Sequence, residues 1–381
     1  MSETKEKKKD KKLMRGSHVL GEAAIRAGCR AYFGYPITPQ NELPEYMAEQ
    51  FAQMPDAVFL QAESELASIN MVMGASIAGA RVMTSSSSPG ISLKQEGISY
   101  IAGMELPAVI VNMMRGGPGL GNIAPAQGDY FQATKGGGHG DYRLIVLAPA
   151  YGQEIADMTR QAFDLADKYR NPVMILGDGM LGQMMEPVVF PDPIDPAQLP
   201  AKPWTLTGCK GRPSRIIRSL WLDVNREEEL NWRLVRKYEA ITAEVVDQEM
   251  YLAEDAELII VAYGTAARIA KGGVQRARAM GIKVGLFRPK TLWPYPSEPL
   301  ARLADQVDEI IVFEMSTGQM VEDVRLAVEG RCRVSFYGRP GGVVATPEEI
   351  SRVISSTHHR AHPKKVAGGR ASGGSRLTVV G

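Results

Sequence analysis

The sequence predicts an α/β protein, a doubly wound parallel sheet followed by a second, smaller α/β unit. Short apolar runs alternate with amphipathic stretches from His18 to about Pro187, the rhythm of strand–helix units in a parallel sheet. The rhythm restarts at Leu258, after a proline-rich interval and a charged helix. At 381 residues the chain also exceeds what one compact core usually supports.

Residues 30–35 read as a strand ending at Pro36, and 58–61 and 81–84 as the next two. Residues 106–113, with Val109, Ile110 and Val111 consecutive, suit a strand buried on both faces, and 144–147 and 173–176 share that character. Helices fall at 63–80, rich in Ala, Met and Ile, and at 153–168, where Ile155, Met158, Ala162, Phe163 and Ala166 share a face. Residues 186–215 lose periodicity and read as a linker or an arm over a neighbour, followed by a charged helix at 226–248. In the second unit strands are expected at 258–263, 284–287, 310–313 and 334–337, with Gly264-Thr265 opening a helix that runs to about Met280. The expected organisation is a disordered lysine-rich tail (1–15), a first domain (16–190), a linker with the charged helix (191–254), a second domain (255–355) and a flexible tail (356–381).

Composition narrows the function. A net charge of +1 argues against a nucleic-acid surface, which needs many Lys and Arg on one face. Cys29, Cys209 and Cys332 are too few and too scattered for a disulfide framework, zinc site or iron–sulfur cluster, so any cluster must sit on another chain. No membrane span is expected. No apolar segment follows the opening lysines to act as a signal peptide, so the expected address is the cytoplasm.

Several strand-end motifs could carry chemistry. Gly34-Tyr35-Pro36-Ile37-Thr38-Pro39 places a Thr38 hydroxyl at the carboxyl edge of the sheet, where open α/β folds bind ligands. Spacing alone favours reading Thr38 as a helix cap before Pro39 at the first helical position. Gln61-Ala62-Glu63-Ser64-Glu65 sets two carboxylates before a small-residue helix. Either acid suits a first helical turn structurally, but Glu65 precedes so apolar a segment that its carboxyl could be partly desolvated and share a proton with a ring nitrogen. Arg115-Gly116-Gly117-Pro118 follows the most buried strand; it is a flexible loop or a grip for a carboxylate, and it lacks the phosphate-loop ending. The serines from Ser85 to Ser88 before Pro89-Gly90 bind polar groups or satisfy a turn. His139 reads as structural, and no Gly-x-Ser-x-Gly elbow is present. Gly177-Asp178-Gly179 has no Asn after it until Asn225, so no metal is expected on this chain.

Taken together with Pro125-Ala126-Gln127-Gly128-Asp129, and with Ala262-Tyr263-Gly264-Thr265 and Phe287-Arg288-Pro289 in the second unit, these motifs resemble the alpha subunit of 2-oxoacid:ferredoxin oxidoreductases. The resemblance runs from about His18 to Ile350 and is strongest to the 2-oxoisovalerate type, next to the 2-oxoglutarate type. It implies a pyrimidine-binding domain for thiamine diphosphate, followed by a domain of transketolase C-terminal type. It implies a beta subunit with the diphosphate and Mg2+, a gamma subunit, a ferredoxin-like delta subunit with [4Fe-4S] clusters, and a dimer of such heteromers. Coenzyme A is the implied co-substrate and ferredoxin the electron acceptor in oxidative decarboxylation. Residue by residue, Glu65 matches the glutamate that bonds the aminopyrimidine, with Glu63 as competitor. Thr38 and Arg115 match positions that hold the oxoacid carboxylate, and Pro36, Ile37, Ser88 and Pro89 fall in the cofactor-binding segments. A non-oxidative decarboxylase subunit and a non-catalytic assembly subunit are the alternatives. Whether Lys94, Lys135 or Arg143 points inward bears on the substrate, because 2-oxoglutarate needs a second cation.

Overall fold

The computed structural model describes residues 11–361. Its first half runs β1 (Lys12–Arg15), α1 (Gly16–Arg26), β2 (Ala31–Gly34), α2 (Glu42–Phe51), β3 (Val58–Gln61), α3 (Glu65–Ala78), β4 (Val82–Ser86), α4 (Ser88–Gly103) and β5 (Ala108–Met114). There follow α5 (Tyr130–Thr134), β6 (Ile145–Leu147), α6 (Gly152–Tyr169), β7 (Pro172–Asp178), α7 (Gly179–Gln183), β8 (Met185–Val188) and α8 (Val224–Val245). The remainder is β9 (Gln248–Tyr251), β10 (Leu258–Val261), α9 (Gly264–Ala279), β11 (Val284–Pro289), β12 (Thr291–Trp293), α10 (Ser297–Ala304), β13 (Glu309–Glu314), α11 (Met320–Val328), β14 (Arg333–Gly338) and α12 (Pro347–Ala361).

The larger sheet has seven strands in the order β12-β6-β7-β5-β4-β2-β3, parallel except for β12. Every residue of β5 and β7 is buried, as expected of largely apolar strands covered by helices on both faces, with Asn112 and Asp178 as their buried polar residues. The chain leaves β2 first for β3 on one side and then for β4 on the other, so the sheet reverses direction between β2 and β4. Such a reversal opens a crevice at the strands' carboxyl ends. The second sheet, β14-β13-β10-β11-β9, is parallel except at β9.

The two units share one apolar core, in which Ile110, Tyr130 and Met174 cluster with Val261, Tyr263 and Phe287. Strand β12, from the second half of the chain, closes the edge of the first sheet against β6. Arg288 latches the units together. It is 2% exposed, and donates to Glu249 at 2.7 and 2.9 Å and to Glu154 on α6 at 3.0 Å.

Several expectations need correction. Residues Lys12–Arg15, expected in a disordered tail, pair antiparallel with β8. Residues 356–361, also expected in a tail, belong to α12, which anchors Ile350 and Ile354 in the core. The remainder of both expected tails, 1–10 and 362–381, lies outside the described residues. Pro39 does not open a helix. It packs against Gly179, and α2 begins only at Glu42, after Gln40 donates its backbone N–H to the Ile37 carbonyl at 3.1 Å. The segment after β8 runs along helices of this chain's first unit: Leu206 N–H donates to the Ile77 carbonyl on α3 at 3.0 Å, and Lys202 pairs with Asp167 on α6 at 2.6 Å.

Candidate active site at the sheet reversal

The loops after β2, β4 and β5 converge on the crevice. Arg115 ends the β5 run, is 7% exposed, and donates to the Thr38 carbonyl and the Leu120 carbonyl, both at 2.9 Å. The structure therefore joins two residues 77 positions apart that the sequence could only place at separate strand ends. Thr38 is exposed, as is Pro36, while Ile37 is half-buried. With two N–H groups engaged, the guanidinium keeps further donors, among them a buried Nε without a partner.

Ser88 occupies the first turn of α4. Its hydroxyl donates to Asp129 at 2.6 Å and accepts from the Arg115 N–H at 3.1 Å, and Asn112 donates to the same Asp129 oxygen at 2.9 Å. Burial raises the Asp129 carboxyl above its ordinary range, against the two hydrogen bonds from Ser88 and Asn112 that lower it. Asp129 lies in a segment that also bridges the units. Gln127 donates to the Tyr263 carbonyl at 2.9 Å and accepts from the Met315 N–H at 3.0 Å. A cavity of about 480 Å³ opens there, between Ser88, Pro89, Arg115 and Asp129 on one wall and Ser316 and Gln319 on the other. A second cavity, about 620 Å³, lies beside Thr38 and is walled by Pro39, Ile123, Pro125, Met180 and Met184.

Glu65 is the first residue of α3, whose N-cap Ser64 accepts from the Ala67 N–H at 3.1 Å. It is 7% exposed, whereas Glu63 is exposed. Its carboxyl lies over Gly90: a Cβ added there would stand 2.6 Å from Glu65 Oε1 and 2.1 Å from Ser86 Oγ. Gly90→Ala is accordingly expected to push the Glu65 carboxyl aside and lower turnover roughly 100-fold, the scale on which about 1 Å of misplacement acts. Steady-state rates and a cofactor titration would check this; unchanged values for both would show that the carboxyl does not use that seat.

A polar ring fits the crevice. The side-chain atoms Gln40 Nε2, Asn41 Oδ1, Ser86 Oγ, Ser87 Oγ, Asn112 Oδ1 and Arg115 Nε are buried there without partners. Native interiors rarely tolerate such a cluster unless something else satisfies it. Elsewhere Asp178 caps α7, accepting from Met180 and Leu181 N–H groups at 3.0 and 3.2 Å. Among the described residues no group of three or more His, Cys, Asp or Glu stands close enough to hold a metal, and no helix is long and apolar enough to cross a membrane. His139 packs edge-on to Tyr100, ring centroids 6.4 Å apart, and lines neither of the two cavities described above. The sequence reading missed Asn112 and Asp129 as site residues, although Asp129 closes one of the quoted motifs. It left Lys94 open, and Lys94 proves to be fully buried beneath Glu65.

Comparison with known proteins bears on this geometry. Residues 22–214 match the family model for the thiamine-diphosphate-binding domain of pyruvate flavodoxin/ferredoxin oxidoreductases, and 256–350 that for core domain II of pyruvate:ferredoxin oxidoreductase. The chain belongs to the 2-oxoacid:ferredoxin oxidoreductase family, as one subunit of an enzyme that oxidises 2-oxoacids. It is 51% identical to the ketoisovalerate oxidoreductase subunit VorB of Methanothermobacter marburgensis, over 90% of this chain and 96% of that one. The solved 2-oxoglutarate:ferredoxin oxidoreductase of Magnetococcus marinus, with 2-oxoglutarate, coenzyme A and succinyl-CoA bound, superposes with a TM-score of 0.81 at 29% identity, over 92% of this chain and 66% of that one. A split-gene transketolase shares the fold alone, with a TM-score of 0.58 at 13% identity over 90% of this chain and 97% of its own.

Proposed function

We infer that this chain holds the aminopyrimidine of thiamine diphosphate in a cytoplasmic, coenzyme A-dependent 2-oxoacid:ferredoxin oxidoreductase, and that its substrate is a branched aliphatic oxoacid of the 2-oxoisovalerate kind. The observation that carries this reading is the buried Glu65 carboxyl at the head of α3, facing a crevice ringed by unpartnered polar atoms. Bound thiamine diphosphate supplies the electron sink for decarboxylation. The protein's own part is to place a proton and a carboxylate. Glu65 exchanges a proton with a ring nitrogen, while the Thr38 hydroxyl and the remaining Arg115 donors hold the oxoacid's carboxylate. Pro36, Ile37, Ser88 and Pro89 shape the walls around the cofactor. Partner subunits carry the rest: beta with diphosphate and Mg2+, gamma, and delta with the clusters that pass electrons to ferredoxin, assembled as a dimer of heteromers.

The branched-chain reading has support beyond the 51% identity to VorB. The cavity beside Thr38 has mostly apolar walls; Asn41, Glu42 and Gln183 also line it, and no cation is among its lining residues. The three basic residues that bear on the question are engaged elsewhere. Lys94 bonds Thr84 at 3.1 Å, Lys135 pairs with Asp323, and Arg143 donates to the Tyr142 carbonyl at 3.0 Å. A second carboxylate would enter that cavity beside the like-charged Glu42 and with no cation to meet it, a costly burial. In a viologen-reduction assay of the native complex with thiamine diphosphate and coenzyme A, 2-oxoisovalerate is expected to exceed 2-oxoglutarate by about 100-fold in kcat/KM. A preference for 2-oxoglutarate would overturn the substrate, and no reduction with either acid would return the chain to the assembly-subunit reading.

A further inference from the structure

Lys94 occupies the buried face of α4, with Ile91, Ile98 and Ile101, and is 0% exposed. Its ammonium donates to Thr84 Oγ1 at 3.1 Å, to the Glu65 backbone carbonyl at 3.4 Å and to the Ser68 hydroxyl. All three acceptors are neutral. Thr84 on β4 and Ser68 on α3 do not titrate, and among the described residues the charged group that acts on the amine is the Glu65 carboxylate. Burial pushes the Lys94 ammonium down to about 7, while the charge of Glu65 pulls it back up. An amine buried in this way gains little for the fold, because stripping its water costs about as much as its neutral hydrogen bonds return. An unbranched apolar side chain would fill the same space. The lysine also lines neither the cavity beside Thr38 nor the one between the units, so it is not placed to touch substrate.

We propose that Lys94 is a positioning residue for Glu65: held between the first turn of α3 and the middle of β4, it supplies the positive charge that biases how the Glu65 carboxyl shares its proton. This inference rests on the reading of Glu65 given above. It predicts that charge at position 94 serves turnover and not stability. A lysine with a lowered pKa is charged below about pH 7 and neutral above, so the wild-type pH–rate profile should carry an alkaline limb that follows its deprotonation.

The test compares wild type, Lys94→Met, Lys94→Gln and Glu65→Gln in the native complex, reading the pH profile of kcat, the melting temperature, and the circular-dichroism bands that distinguish the two tautomers of the bound aminopyrimidine. Lys94→Met is expected to keep its melting temperature and cofactor loading, lose about tenfold in kcat, shift the tautomer bands and lose the alkaline limb. Lys94→Gln, which keeps a donor without the charge, should lose the same limb with a smaller fall in kcat. A merely structural lysine would give the reverse: a lower melting temperature with profile and bands unchanged. If Lys94→Met does not assemble, the Lys94→Gln profile decides, and an unaltered limb overturns the proposal. Wild-type profiles in both lysine variants beside an inactive Glu65→Gln would sink Lys94 and leave Glu65 standing, whereas an active Glu65→Gln would remove the ground for both.

Discussion

Replacing Glu65 with Gln is expected to lower kcat by roughly 10²–10⁴-fold, the span a positioned general acid or base contributes. The amide keeps the size of the side chain and its seat over Gly90, but it cannot take up or release a proton. Cofactor should still load, so the loss should fall on kcat and not on the amount of thiamine diphosphate retained. Glu63→Gln is the internal control. That side chain is exposed two residues away, and its replacement is expected to change turnover less than twofold, in keeping with the small effects of most surface substitutions. Viologen reduction by the two variants checks the assignment; equal losses, or a larger loss at Glu63, would move the proton-sharing role off Glu65.

The second large effect is on stability. Arg288→Met removes a guanidinium shared by Glu154 on α6 and Glu249 on β9, leaving Glu154 without its ion-pair partner beside Glu249, which keeps Lys271 at 2.9 Å. Removing one partner from a buried ion pair commonly costs 3–5 kcal/mol. Here about 3 kcal/mol is expected, near the low end, because the Glu154 and Glu249 side chains keep 20% and 27% exposure and can recover some water. Denaturant unfolding monitored by fluorescence should show the shift. A midpoint within error of wild type would mean that the shared core and β12 hold the two units together without this latch.

Legibility in the sequence followed the range of the interactions. The β5 run was readable because consecutive Val109, Ile110 and Val111 leave few alternatives to a doubly covered strand, and all three are buried. The α6 stripe was equally local: Ile155, Ala162, Phe163 and Ala166 are all buried on one face. Sequence favoured Glu65 over Glu63 through the apolar segment that follows it, but both suit a helix start, and only the fold shows that Glu65 is buried over the Gly90 turn while Glu63 is exposed. Lys94 had a signal, its three- and four-residue spacing from Ile91 and Ile98. Yet a lysine on an apolar face usually extends its amine to water, so spacing alone could not say where the charge ends. Asn112 and Asp129 meet only through tertiary packing, 17 residues apart. Strand β12 spans just Thr291–Trp293 between prolines, too short for any period to show.

That three-residue strand has a consequence for biogenesis. The outer flank of β6 is covered only when residues 291–293 arrive, and at ordinary elongation rates they leave the ribosome on the order of ten seconds or more after Leu147. Throughout that interval the nascent first sheet presents an open, wholly apolar Ile145-Val146-Leu147 edge, the sort of surface that recruits stray strands. A chain cut anywhere between the two sheets would carry the same uncapped edge for its lifetime.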